Sequence, residues 1–436
     1  MNQHRAAELG LILLAALVTA GTYALAGASE SGLGQGASIP ANIGPFLAVV
    51  LGVLVLAHVA VRRFAPDADG TLLPMAALLN GIGYAMIVRL DQDLAKFQAA
   101  WTILGVGAFI ATLALVRDIR VLARYRWTLA LVGFLALVAP IAPVIGREIN
   151  GARLWVSLGP VNVQPGEFAK IALAVFVASY LVEKRELLAL GARRIGPFLV
   201  PDLKHLGPVL AAWGASLLVM VFERDLGSSL LVFATFVVML WIATGRGWYP
   251  GVGGALFALG ATAAWWRFDH VQSRVRIWLD PWRDVTGEGF QIVQASFALA
   301  SGGITGTGPG LGSPERIPAR ETDFIFAVIG EELGLLGATA IITAFILIIG
   351  TGLRVAVRSR DEFAKLLATG LTVSLGVQAF IIIGGVLRVL PLTGITLPFV
   401  SYGGSSLLAN YVLLALLLRI SHDSAQVQTD QDLVTA

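Results

Sequence analysis

The stretch FIFAVIGEELGLLGATAIITAFILIIG, residues 324–350, decides the fold. Its only charged residues are Glu331 and Glu332, and it is longer than the roughly 20 residues an α-helix needs to cross a hydrocarbon core about 30 Å thick. Two adjacent glutamates inside such a helix are expensive in lipid and call for partners or water.

Outward from it, comparable apolar runs fall at 9–28, 43–61, 71–88, 97–116, 127–145 and 166–183 on the N-terminal side. Others fall at 206–222, 227–244, 249–266, 362–387 and 397–419. Together they predict an all-α, polytopic membrane bundle of about 12 transmembrane helices. Between 206–222 and 227–244 there is room only for Glu223, Arg224 and Asp225. Composition agrees, with 56% hydrophobic residues, 14% charged and a mean hydropathy of +0.79, where soluble domains carry about a quarter charged. Cysteine is absent, which removes disulfides and thiol chemistry. The first run is long enough to span, with no small-residue cleavage site behind it.

Basic residues orient the set. With a cytoplasmic N-terminus, the inside segments hold Arg62, Arg63, Arg117, Arg120, Arg124, Arg126, Lys184 and Arg185, among others, while few fall outside. The positive-inside rule then places both termini in the cytoplasm. The long connection 267–322 lies on the extracytoplasmic side, and loops of that length are usually functional or disordered. The polar segment 421–436 is expected to be a disordered cytoplasmic tail.

Four clusters gather on the outer face. NGARLW at 150–155 precedes QPGEFAK at 164–170, where Glu167 and Lys170 share a helix face and Glu167 suits a helix N-terminus. The plainer reading is a self-neutralising pair at the interface; the functional one is a pair facing a cavity. ERDLG at 223–227 reads by itself as a solvated turn. RVRIWLDPWRD at 274–284 sets Asp280 and Asp284 among arginines and tryptophans. Arginine suits phosphate, and a carboxylate there is a candidate general base for a sugar hydroxyl; an interfacial amphipathic helix is the rival reading. The fourth cluster is Asp323 with Glu331 and Glu332. GTGPGLG at 306–312 follows no strand of a βαβ unit and is not a nucleotide loop. The scattered histidines offer no metal site, and nothing points to nucleic acid.

At these residues the sequence resembles the shape, elongation, division and sporulation (SEDS) family, the RodA/FtsW proteins. The resemblance covers roughly 71–420 and rests on NGARLW, QPGEFAK, DLG at 225–227, LDPWRD at 279–284, GEGFQIVQ at 287–294, TDFIFAVIGEELGLLG at 322–337 and TGITLPFVSYGGSS at 393–406. It implies a ten-helix core at 67–420 with two added N-terminal helices in 1–66, as in actinobacterial members. Two details depart from the family pattern: Glu223-Arg224 stands for Gln-Pro before the Asp-Leu-Gly, and Gly166 stands for serine.

The resemblance implies a peptidoglycan glycosyltransferase that polymerises lipid II at the outer face, in elongation or division. Asp284 corresponds to the family's essential aspartate, and Asp280 is the lesser choice. Arg153, Lys170 and Arg276 are expected to supply positive charge for the leaving diphosphate, with Glu167 and Asp225 orienting those cations or coordinating a divalent metal ion, and Glu332 and Ser401 lining the cavity. No cofactor is certain; a divalent cation, Mg or Mn, is the one candidate. The implied partner is a class B penicillin-binding protein, a transpeptidase. A lipid II flippase or transporter, or a non-catalytic scaffold for a cell-wall synthase, are the alternatives; the gathering of ionisable residues on one face favours surface chemistry over transport.

Overall fold

The computed structural model describes residues 3–30, 43–149, 152–159, 161–189, 193–195, 198–200, 214 and 225–435. Backbone polar groups in lipid must be satisfied within their own segment, so the apolar runs become helices. These are α1 (Gln3–Glu30), α2 (Ile43–Phe64), α3 (Leu72–Leu90), α4 (Gln92–Leu115), the short α5 (Arg120–Arg124), α6 (Arg126–Val138) and α7 (Gly166–Ala189). They continue as α8 (Leu226–Thr244), α9 (Trp248–Arg267), α10 (Asp269–Leu279), α11 (Phe290–Gly302), α12 (Ile325–Arg358), α13 (Glu362–Val386) and α14 (Gly404–Thr435). Among the described residues, 6 spans are long and apolar enough to cross a membrane: α3, α4, α8, α12, α13 and the Gly404–Val427 part of α14.

Three departures from the sequence reading have physical causes. The run 127–145 is helical only to Ile141, because Pro140 lies in a closing 3₁₀ turn and Pro143 cannot continue a helix. The chain then enters a three-stranded antiparallel sheet, β1 (Gly146–Ile149), β2 (Ala152–Leu158) and β3 (Val161–Val163), a small insertion in an otherwise helical fold. A second hairpin pairs β4 (Arg193–Ile195) with β5 (Phe198–Val200). The segment read as a disordered tail continues α14 to Thr435, with Ser421 and His422 buried and Arg419 facing Asp423 one turn on. The predicted span 206–222 lies outside the described residues apart from Gly214.

The chain divides into two compact units. The first comprises Met1–Leu115, Phe268–Thr351 and Gln378–Leu418. In it α1 packs on α3, and Ala15, Leu54 and Ala77 bring α1, α2 and α3 together. The α4–α14 contact is close because Trp101 lies over Gly404, where an added Cβ would sit 2.1 Å from the indole. Tyr411 anchors this core, accepting a hydrogen bond from Asn80 Nδ2 (3.0 Å) and meeting Phe109 and Phe399 edge-on.

The second unit comprises Val116–Arg267, Gly352–Val377 and Arg419–Ala436. Leu137 of α6 packs on Ala169 and Leu173 of α7, with Val232 of α8 against the same cluster. Leu173 and Val232 each lie about two turns inside their helices.

Candidate active site

In the first unit, α10 ends at Leu279 and hands the chain to a 3₁₀ turn, Pro281–Asp284. Asp284 is exposed, and its two carboxylate oxygens accept the backbone N–H groups of Gly287 (2.9 Å) and Glu288 (3.1 Å). This wrap needs glycine at 287, where a Cβ would sit 2.2 Å from Asp284 Oδ2. The carboxylate is thereby oriented by main chain while its outer side stays open, the geometry a general base requires. Arg276 stands near the same turn, 3.8 Å from Glu288, with both side chains more than half exposed. Asp280 is exposed and forms the C-cap of α10, its N–H donating to the Arg276 carbonyl at 2.9 Å.

α10 is fastened at several points. Arg274 Nη1 donates to the carbonyls of Leu392 (3.2 Å) and Thr393 (2.8 Å), and Trp278 Nε1 donates to the Arg388 carbonyl (3.0 Å). The motif around 393–406 is tied in turn to the start of α12. Ser401 Oγ donates to the Thr322 carbonyl (2.7 Å) and accepts from Leu397 N–H (2.9 Å), while Tyr402 N–H donates to the Glu321 carbonyl (2.8 Å). Ser401 is buried, and both of these bonds are made within the fold.

Glu331 and Glu332, within the membrane helix, each find partners, while Glu331 Oε2 and Glu332 Oε1 stay buried without a hydrogen bond. α12 is broken at Gly334, whose φ of 65° and ψ of −164° interrupt the helix one turn past these residues. The glycine-rich loop docks at the break. Thr307 and Gly308 N–H donate to the carbonyls of Glu331 (2.9 Å) and Glu332 (3.1 Å). Gly310 N–H donates to Glu332 Oε2 (2.8 Å) and Ser313 N–H to Glu331 Oε1 (3.1 Å). Arg89 of α3 approaches Glu332 Oε1 at 3.7 Å and donates to the Gly310 carbonyl at 3.3 Å. GTGPGLG is thus a carboxylate-binding loop for this chain's own glutamates, with backbone N–H groups supplying the compensation.

The second unit carries the other predicted residues. Glu167 and Lys170 form an ion pair at 2.6 Å on the first turn of α7, each 8% exposed. Asp225 is buried as the N-cap of α8, accepting from Ser228 N–H (3.0 Å) and from the Ser228 hydroxyl. Glu167 and Asp225 thus each stand at the N-terminal end of a helix, and the two helices pack together. Arg153, on β2, is exposed and pairs with Glu148 across the hairpin at 3.2 Å. Among the described residues no group of three or more His, Asp or Glu side chains is placed to hold a metal ion.

Arg89 and Arg388 were not among the predicted site residues. Both stand out in sequence only as basic residues in segments expected on the sparsely charged outer side, and their partners lie far away along the chain.

Residues 72–426 match the FTSW_RODA_SPOVE model, described as cell cycle protein. A peptidoglycan glycosyltransferase RodA of Mycobacterium tuberculosis is 46% identical over 429 residues, 96% of this chain and 90% of that protein. A probable peptidoglycan glycosyltransferase FtsW of Geobacter metallireducens is 34% identical over 371 residues, 81% of this chain and 94% of the relative. A chain from the solved structure "Structural coordination of polymerization and crosslinking by a peptidoglycan synthase complex" superposes with a TM-score of 0.68 at 28% identity, covering 82% of this chain and 98% of that one. The motifs that shape Asp284's turn, the glutamate-binding loop and the buried Glu167–Lys170 pair all fall within the matched residues, and the chain belongs to the FtsW/RodA/SpoVE family of cell cycle proteins.

Proposed function

We propose that the chain is a peptidoglycan glycosyltransferase that polymerises lipid II into glycan strands. The observation that carries this reading is Asp284, an exposed carboxylate held by two main-chain N–H groups inside the matched family region. The 4-hydroxyl of one substrate's GlcNAc attacks the anomeric carbon of the other and passes its proton to Asp284. The new glycosidic bond forms as the bond to undecaprenyl diphosphate breaks, with inversion. Arg153, Lys170 and Arg276 supply positive charge for the departing diphosphate, and Glu167 and Asp225 orient those cations. Glu332 and Ser401 shape the cavity wall through the loops they hold.

The same reading places a multi-pass protein in the plasma membrane with both termini in the cytoplasm, residues 1–66 as an addition to a 67–420 core, and Asp284 on the extracytoplasmic side. A class B penicillin-binding protein is the partner that crosslinks the product. The higher identity to RodA than to FtsW supports a role in elongation.

The test is reconstitution of the purified protein with its cognate penicillin-binding protein and lipid II, with moenomycin present to silence classical glycosyltransferases. Polymer from wild type that persists in Asp280→Ala and disappears in Asp284→Ala supports the assignment. Polymer from Asp284→Ala at close to the wild-type rate overturns the mechanism, and none from a folded, partner-bound wild type overturns the function.

A further inference from the structure

The C-terminus of α10 leaves carbonyls without intrahelical partners, as every helix end does. Here two of them are taken by a side chain from elsewhere in the first unit: Arg388 Nη2 donates to the carbonyls of Trp278 (3.2 Å) and Leu279 (3.4 Å). The contact is reciprocal, since the Arg388 carbonyl accepts the Trp278 indole N–H at 3.0 Å. A guanidinium at a helix C-terminus also opposes the negative end of the helix dipole.

The backbone of Arg388 makes this assignment more than a surface contact. Arg388 follows α13 in a tight turn in which its N–H donates to the Gly385 carbonyl (3.2 Å) and Val389 N–H to Gly384 (2.7 Å). Its φ is 59°, the left-handed conformation that helix C-termini ordinarily give to glycine. A long side chain held in a glycine position points to a use for the side chain. The residue it caps is the last before Asp280, and Asp284 follows within one 3₁₀ turn.

We infer that Arg388 is a positioning residue for the reaction: it caps α10 and so fixes the direction in which the chain leaves toward Asp284. The inference rests on the proposed role of Asp284 as base. Arg388 itself touches α10 rather than the reacting groups, and its loss is felt in the placement of the carboxylate.

Glycine is the discriminating substitution, because it removes the guanidinium while suiting the backbone. Arg388→Gly is expected to keep or raise the thermal unfolding midpoint. Deuterium exchange of the amides in 280–289, which include the two N–H groups bound to Asp284, is expected to rise severalfold. In the lipid II polymerisation assay kcat falls by about tenfold or more with KM within about twofold, and Arg388→Lys recovers part of the loss. Exchange in 280–289 equal to wild type, or unchanged kcat in Arg388→Gly, overturns the inference. Should wild type itself make no polymer, the proposed function fails, and the exchange measurement alone decides whether Arg388 holds the turn.

Discussion

Asp284 and Glu332 are both carboxylates of the first unit that accept main-chain N–H groups, yet their surroundings are opposite. Asp284 is exposed on a turn between two short helices, and the N–H groups it accepts come from the four residues that follow it. Glu332 is 0% exposed about two turns into α12, just before the break at Gly334, and the groups that reach it come from the 306–313 loop and from Arg89 on another helix. Local donors orient a carboxylate and leave it available. Donors gathered from distant segments consume it, since removing the carboxylate would release the loop that supplied them. In the second unit the charges divide by exposure alone: exposed Arg153 contrasts with buried Glu167, Lys170 and Asp225, although the partners named for all of them lie within five residues along the chain.

The contrast is broken most sharply by activity. Asp284→Ala is expected to lower polymerisation by about 10²–10⁴-fold, the usual contribution of a general base, with an unfolding midpoint close to wild type. Glu332→Ala should do the reverse at first order. It strands Arg89 and the Gly310 N–H, and is expected to destabilise the fold by about 3 kcal/mol in denaturant titration. Gly334→Ala sharpens the point at the helix break, where a Cβ would meet Gly306 N at 2.2 Å and the backbone is left-handed. A loss of about 2 kcal/mol by the same titration is expected from the strain alone. Arg153→Ala is the smallest effect on stability, under about 1 kcal/mol, because its pair with Glu148 is about half exposed on both sides. Its cost should show instead as slower polymerisation of lipid II. A large destabilisation by Arg153→Ala, or none by Glu332→Ala, would erase the distinction between available and consumed charges.

Much of this architecture is legible in the sequence, because an apolar run of adequate length has few alternatives in lipid. The limits are equally physical. Hydropathy counts 127–145 as one span, although Pro140 and Pro143 stop the helix and the chain turns into a sheet. The strands beyond are short, and hydropathy reads spans rather than ladders. For the site, the motifs bring Asp284, Glu167 and Lys170 to notice. Which of these charges are available and which are consumed depends on partners that sequence does not reveal. GTGPGLG is rightly set aside as a nucleotide loop, yet its N–H groups serve the two glutamates whose need for partners was already evident. Arg388 was invisible because its importance lies in a positive φ and two carbonyls of a separate helix.

The most direct test of the account separates binding from chemistry at Asp284. Equilibrium binding of lipid II and single-turnover transfer would be measured on the same preparation of Asp284→Ala with its partner penicillin-binding protein. A base that acts only on the attacking hydroxyl predicts lipid II affinity within a few-fold of wild type and transfer slowed by about 10²–10⁴-fold. Transfer at the wild-type rate, or loss of lipid II binding with transfer recovered at saturating substrate, would contradict the assignment and make Asp284 a binding group.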